Sequence, residues 1–469
     1  MTKVRYTSLL AAVLMLILAA CGGAEPGDDQ EIPDAPTTEA AATEEPADTD
    51  APATTAPEDT EAATSAPGST TAESEPDDGA GGEAPDEIVI GIPASLTGQY
   101  EALGRQGLDG LNMFANWVNE EKGGIDVGGT LVPVRVVFGD DRSDLDTSLR
   151  LYEQLVQEDE ADFMFASYSS SLTLAQAPLA EQLDMVTMAW GASSDDIWNE
   201  GFTRTVGVYT PASQYDHTLL EFVTSTEPIA ETIAIVHKDD PFTVAEAEGA
   251  RAKAEELGLE VVFYDAYPAQ AADLSPILTQ AAGSEPDVML VVAHFQDGAL
   301  AARQMTELGI DVAASSFGSG AATTDWWDEL GEAAQGTFGP TQWEPNQSVD
   351  PAAFEEPNWV GPQITPSEYA TMYEEEFGYD PDYRGGLVFH SGLALMAAIE
   401  EAGTIETEAV TEAIKGLDIQ TLGGGFRVDP ETLIQVGHDM LTVQWQDGEK
   451  VIVTPAEAAT GEAIYPANE

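Results

Sequence analysis

Residues 87–469 read as an α/β protein: two doubly wound α/β lobes in series. Three observations carry that reading. Short β-rich runs alternate with helical stretches along the chain, which is the signature of parallel sheets with flanking helices. The alternation restarts after Pro211. The roughly 380 residues involved are more than one core usually holds.

The first unit opens with Ile88-Val89-Ile90-Gly91-Ile92, a short strand, and a Ser95-Leu96-Thr97-Gly98 turn. Leu103, Gly107, Leu111, Phe114 and Val118 then recur near helical spacing, and Lys122-Gly123-Gly124 stops that helix. A strand over 134–138 closes on Asp140-Asp141, and a helix over 147–157 leads to strands over 163–166 and 185–189. In the second unit 217–223 is helical, Ile233-Ala234-Ile235-Val236 is a strand, and 244–257 is an Ala/Glu-rich helix. Strands over 261–264 and 288–292 and a helix over 300–308 continue the pattern.

The N-terminus reads as an export signal. Lys3 and Arg5 precede an apolar run over 9–20, too short for a bilayer span of about 20 residues. The run ends in Leu18-Ala19-Ala20-Cys21-Gly22, which resembles a bacterial lipobox. That resemblance implies a lipoprotein signal over 1–21 with a diacylglyceryl group on Cys21, which becomes the mature N-terminus on cleavage just before it. Two acyl chains anchor durably where one does not. Cys21 is the only cysteine, so no intrachain disulfide is available and the fold rests on its core.

Residues 22–86 hold nineteen acidic side chains, no Lys or Arg, and almost no large apolar residue. Such a stretch cannot bury enough surface to offset chain entropy, and is expected to be a disordered acidic tether. Without the tether and the two signal cations, 66 acids face 14 bases, a net charge of about −52. That balance excludes a nucleic-acid partner and an anionic membrane surface. It reads as adaptation to a saline or cation-rich exterior, where salt screens the self-repulsion.

In order along 87–469, several short motifs resemble the leucine/isoleucine/valine-binding family, the type I periplasmic binding proteins of ABC importers. They are Ile90-Gly91 with Ser95-Leu96-Thr97-Gly98, Asn119 with Gly123-Gly124-Ile125, Asp140-Asp141 with Ser143-Asp144, Ser169-Ser170-Ser171, Gly191-Ala192-Ser193, and Ile233-Ala234-Ile235-Val236-His237. The resemblance implies two α/β lobes joined by a three-strand hinge, 87–209 plus 338–422 and 210–337 plus 423–469. It further implies a monomer on the extracytoplasmic face of the cell membrane. Its partners would be a small-molecule ligand and the permease and ATPase subunits of an importer. No cofactor is implied.

Ligands of doubly wound folds bind at the carboxyl ends of parallel strands, where loops and helix N-termini present N–H groups. Ser169 and Ser170 follow such a strand; their hydroxyls suit a ligand oxygen, or else cap the next helix. The loop Trp190-Gly191-Ala192-Ser193-Ser194 follows the next strand, and its Trp190 is either a stacking face or a core aromatic. In the family Ser170 and Ser193 would offer hydroxyls and Gly191 a carbonyl. Phe242 would fill an aromatic stacking position and His294 a second aromatic position, with Leu103 or Tyr100 on the first-lobe wall. Ser319 stands where amino-acid binders of the family carry an acid for the ligand ammonium, which leaves Asp297 or Asp325 as substitutes. A buried ammonium without a counter-charge is costly, so a plain α-amino acid is in doubt.

Catalysis is not expected. Gly-x-Ser-x-Gly and Walker A loops are absent, and the histidines at 217, 237, 294, 390 and 438 show no His-x-x-x-His spacing. Asp140-Asp141-Arg142-Ser143-Asp144 lacks the glycine and terminal glutamate of a calcium hand. The alternative to transport is a sensor component feeding a separate signalling partner.

Overall fold

The computed structural model describes residues 84–467. The signal, Cys21 and nearly all of the tether lie outside the described residues.

The first lobe begins with β1 (Ile88–Ala94), α1 (Glu101–Trp117), the hairpin β2 (Ile125–Val127) and β3 (Thr130–Val132), and β4 (Val134–Asp140). It continues through α2 (Leu145–Gln157), β5 (Phe163–Phe165), α3 (Ser170–Gln182), β6 (Thr187–Ala189), α4 (Asp196–Asn199) and β7 (Thr205–Gly207). Its five strands form an all-parallel sheet ordered β4-β1-β5-β6-β7.

The second lobe runs α5 (His217–Ser225), β8 (Thr232–Lys238), α6 (Pro241–Leu257), β9 (Glu260–Tyr267), α7 (Ser275–Ala282) and β10 (Val288–Val292). It then adds α8 (Phe295–Leu308), β11 (Ala314–Ser316), α9 (Trp326–Leu330) and β12 (Phe338–Thr341). The chain returns to the first lobe for α10 (Pro366–Phe377), α11 (Tyr383–Ala402), α12 (Thr407–Gly416) and the hairpin β13 (Ile419–Thr421) and β14 (Gly424–Phe426). It crosses once more to finish with β15 (Leu441–Gln446) and β16 (Glu449–Thr454). The second sheet is ordered β16-β15-β12-β11-β10-β8-β9, with β15 alone running antiparallel to its neighbours β12 and β16. The chain therefore passes between lobes three times. β12 pairs in the second sheet, so the second crossing comes after Thr341 rather than at 337/338.

Local chemistry places these elements. Each sheet is buried on both faces, which is why β8 and β10 read as unbroken apolar runs rather than alternating ones. α2 starts at Asp144, whose carboxylate accepts from Thr147 N–H, and α6 at Asp240, which accepts from Thr243 N–H with Pro241 at the first helical position. α1 ends in one wide turn over Val118–Lys122, closed by Gly123 at φ 83°. Asn119 on that turn exchanges two 2.8 Å bonds with the backbone of Val134, pinning the helix to β4. Asp140 and Asp141 also serve as scaffold. Asp140 accepts from the Leu96 and Thr97 N–H groups and the Thr97 hydroxyl, and Asp141 accepts from the Ser95 hydroxyl at 2.8 Å. Together they hold the turn that delivers Tyr100 to the cleft. Among the described residues, no helix is long and apolar enough to cross a membrane.

Candidate functional site

The carboxyl ends of the two sheets face one another across a cleft. Its outer part is a cavity of about 740 Å³ lined by Tyr100, Leu103, Lys238, His294, Asp297 and Asp325, among others. An inner chamber shares His294 with it.

That chamber is walled from both lobes by Tyr168, Ser169, Ser170, Gly191, Ser193, Tyr209 and Tyr383 and by Tyr215, Phe242, His294 and Ser319. Seven of the eight expected site residues are thus brought together. The eighth is not: Trp190 is fully buried in the first-lobe core. Its indole N–H donates to the Ala166 carbonyl at 2.7 Å, and its ring fills the space left by Gly107 on α1. Of the two readings of Trp190, the core aromatic is the one the fold adopts.

The serine loop does two jobs. Ser169 sits at φ 99°, ψ 145°, a region that costs a non-glycine residue roughly 1–3 kcal/mol and collects at ligand clamps. Its hydroxyl caps α3 by accepting from Leu172 N–H at 3.3 Å. The Ser170 hydroxyl accepts from the N–H groups of Ser193 at 3.1 Å and Ser194 at 3.0 Å, bridging the loops after β5 and β6. Its own proton remains free to donate. The Gly191 carbonyl accepts from Ser169 N–H at 3.1 Å. A Cβ at 191 would press on the Tyr168 ring at 2.9 Å, so the position needs glycine.

From the second lobe, Phe242 packs edge-on to Tyr215, with ring centroids 5.4 Å apart, and tilts against His294 at 5.3 Å. His294 Nε2 lies 3.2 Å from Asp240, and its ring meets Tyr100 of the first lobe edge-on at 5.7 Å. Burial pushes the Asp240 carboxyl up, but His294, Thr243 N–H and Lys238 together hold it below the usual range. Asp297 accepts from the Tyr267 hydroxyl at 2.8 Å and from Lys238 at 3.4 Å, so it is already engaged. Neither Asp297 nor Asp325 borders the inner chamber.

Four tyrosines and one arginine of this site were not among the expected residues. Arg384, fully buried at the start of α11, donates to Asp382 at 2.7 Å, to the Tyr168 hydroxyl at 3.2 Å and, across the cleft, to the Ser319 carbonyl at 3.3 Å. Its guanidinium lies 4.3 Å from the Tyr383 ring centroid, a cation–π contact. Burial raises Tyr168, Tyr209, Tyr215 and Tyr383 above the phenol range, so their hydroxyls stay neutral. Three buried polar atoms of the chamber have no partner among the described residues: the Tyr209 hydroxyl, the Ser319 hydroxyl and His294 Nδ1.

Behind the second-lobe wall, next to Tyr215 and against Gly318, sit the fully buried carboxyls of Asp216 and Glu246. No hydroxyl, amide or cation of the described residues bonds to their four oxygens. Burial, and then the neighbouring Asp216 charge, raises Glu246 well above its usual range, and burial raises Asp216 to about 7. The unfolded values are near 4, so the folded state binds the extra protons. The stabilisation is complete below about pH 4 and is lost as pH rises through about 7. Glu246→Gln keeps a donor and removes one acid. Melts across this window should show a flatter pH dependence and a gain of about 2–4 kcal/mol at the alkaline end. A pH dependence matching the wild type would refute the raised carboxyls of this pair.

Two doubly wound lobes around a cleft walled from both sides define the ligand-binding class of protein. The chain belongs to the periplasmic binding proteins, the family whose model matches residues 87–450. The family is extracytoplasmic and consists of binding proteins rather than enzymes. The chain is 24% identical over 397 residues to Leu/Ile/Val-binding protein homolog 7 of Brucella melitensis, covering 81% of this chain and 94% of that one. It superposes with TM-score 0.67 on the branched-chain amino acid transporter substrate binding protein LivJ of Streptococcus pneumoniae in complex with isoleucine. The identity there is 18%, over 81% of this chain and 100% of that one. A solute binding protein of an ABC transporter from Rhodopseudomonas palustris, in complex with 3,4-dihydroxybenzoic acid, gives 0.66 at 20% identity, over 81% and 99%.

Proposed function

We propose that the protein captures a small polar organic ligand, a branched-chain amino acid, amide or related compound, in the inner chamber and delivers it to an ABC importer. The chamber's composition carries the reading: hydroxyls and aromatic faces from both lobes converge there with three unpartnered buried polar atoms. Ser169, Ser170, Gly191 and Ser193 would hold the polar head from the first lobe. Phe242, His294 and Ser319 would close over it from the second. About 10 Å³ of free space lies between them, room for one water, so a ligand enters by the lobes moving apart. No carboxylate lines the chamber, which favours a ligand without a free ammonium group within this class. The aromatic acid bound by the Rhodopseudomonas relative is in keeping with that preference.

The test is a thermal-shift screen with branched-chain amino acids, amides and aromatic carboxylic acids. A ligand at a hundred times its Kd stabilises the fold by about 2.7 kcal/mol, and it should be recovered unchanged on denaturation. If no class shifts the melt, or if the compound is consumed, the reading fails.

Lipidation at Cys21 completes the proposal, with monomers tethered on the outer face of the cell membrane. Cys21→Ala should move the protein from the membrane fraction to the soluble secreted fraction. Retention of an unprocessed form in the membrane would refute the anchor.

A further inference from the structure

The three lobe crossings are bonded to one another by side chains. Thr210 lies on the first, Gln342 on the second, and Gln435 and His438 on the third. Gln342 Oε1 accepts from Thr210 N–H at 2.7 Å, and its Nε2 donates to the Tyr215 hydroxyl at 2.9 Å. The Thr210 hydroxyl donates to the His438 carbonyl at 3.1 Å and accepts from Gln435 Nε2 at 3.1 Å. His438 Nε2 stands 3.2 Å from Gln342 Oε1, and its Nδ1 stands 2.9 Å from the Gly425 carbonyl. Thr210, Gln342, Gln435 and Tyr215 are all buried.

The orientation of the Gln342 amide follows from its partners. Reversing it would set an NH₂ group against Thr210 N–H, a donor against a donor. The atom near His438 is therefore an oxygen, and so is the atom at the other ring nitrogen. A neutral imidazole has one N–H and can satisfy only one of them; the imidazolium donates to both. The titratable groups facing the ring are His390 of α11, with ring centroids 6.0 Å apart, and Asp439 of its own segment. β14 contributes only the Gly425 carbonyl, and the second crossing only Gln342. Burial, and then His438, pushes His390 down to about 3, so it stays neutral. Burial also lowers His438, so desolvation outweighs the second bond: the closed hinge favours the neutral ring, and protonation on the acid side of neutrality works against it.

We propose that Gln342 is a positioning residue that fastens the three crossings to one another and to Tyr215 of the cleft, and that protonation of the buried His438 ring loosens this clasp. Opening of the lobes and the placement of a cleft side chain are then one event, because one amide side chain holds both. The inference rests on the reading of the inner chamber as the ligand site, but its test needs no ligand.

Hydrogen–deuterium exchange is followed on the full chain at about pH 5 and about pH 8, corrected for intrinsic rates. In the wild type, peptides spanning Thr210 should be less protected at the acid pH, and His438→Gln should abolish that difference. Gln342→Met should speed exchange at Thr210 about tenfold, while β1 peptides keep their protection. Tyr215→Phe removes only a hydroxyl from the cleft. It should speed exchange at Thr210 by about threefold, and it keeps the test decisive if Gln342→Met does not fold. Exchange at Thr210 within twofold of wild type in Tyr215→Phe would overturn the coupling between cleft and hinge. A pH difference surviving in His438→Gln would overturn the role of protonation. If exchange follows these expectations while no ligand class shifts the melt, the clasp stands and the ligand reading falls.

Discussion

Arg384→Met is expected to cost about 3–5 kcal/mol of folding free energy, the largest loss among single changes at the site. The guanidinium and the Asp382 carboxylate are both buried and bonded at 2.7 Å. Methionine fills much of the arginine volume, so little of the loss comes from a cavity. What remains is an anion out of water, with its cation removed and the Tyr168 hydroxyl and Ser319 carbonyl stripped of a donor. The double variant Arg384→Met/Asp382→Asn removes that anion and should recover most of the loss, since replacing both members of a buried pair is often close to neutral. Urea melts of the wild type, the single variant and the double variant form the measurement. If the single and double variants fall equally, the loss is one of packing and the charge argument is wrong.

The same residue shows where a one-dimensional reading reaches its end. Ser169, Ser170, Gly191 and Ser193 were legible because they follow strands directly, and a doubly wound sheet puts those loops at the ligand edge. Phe242 and His294 came from the family resemblance, and His294 also follows a strand of the other lobe. Tyr209 and Tyr215 flank a crossing, while Tyr383 and Arg384 open a helix that returns after the whole second lobe; no local pattern announces that they meet. An arginine three residues before the apolar run that begins at Leu387 was the available signal, because a cation opening such a buried helix needs a partner. Trp190 failed for a different reason. Residues at a strand end alternate faces, and a shift of one residue sends a ring into the core rather than the cleft. The informative mark lay elsewhere, at Gly107, a mid-helix glycine whose missing side chain makes room for the indole. Asp140-Asp141 carried the family resemblance, yet they act one step back from the cleft, as scaffolding for the turn before Tyr100.

Tyr209→Phe and Ser319→Ala should move stability and affinity in opposite directions, which a structural role for either hydroxyl would not produce. Both hydroxyls are buried, and neither has a partner among the described residues. An unpaired buried polar atom costs about 1–3 kcal/mol, so removing it should leave the unliganded fold as stable or about 1 kcal/mol more so. With ligand bound, the same hydroxyl supplies one hydrogen bond. Its loss leaves a ligand atom unpaired in a dry chamber and weakens binding roughly ten- to a hundredfold. Active and binding sites trade stability for function in this way. Ser170→Ala gives the contrast. Its hydroxyl already accepts from Ser193 and Ser194 N–H, so its loss should lower both the unliganded melt and the affinity. Phe242→Ala should behave like Ser170→Ala, because the ring packs on Tyr215 and His294 before any ligand arrives. Calorimetric titration with whichever compound the screen yields, beside unliganded melts of all four variants, separates the cases. Unchanged affinity in both Tyr209→Phe and Ser319→Ala would remove the inner chamber as the ligand site and leave the outer 740 Å³ cavity as the place to look.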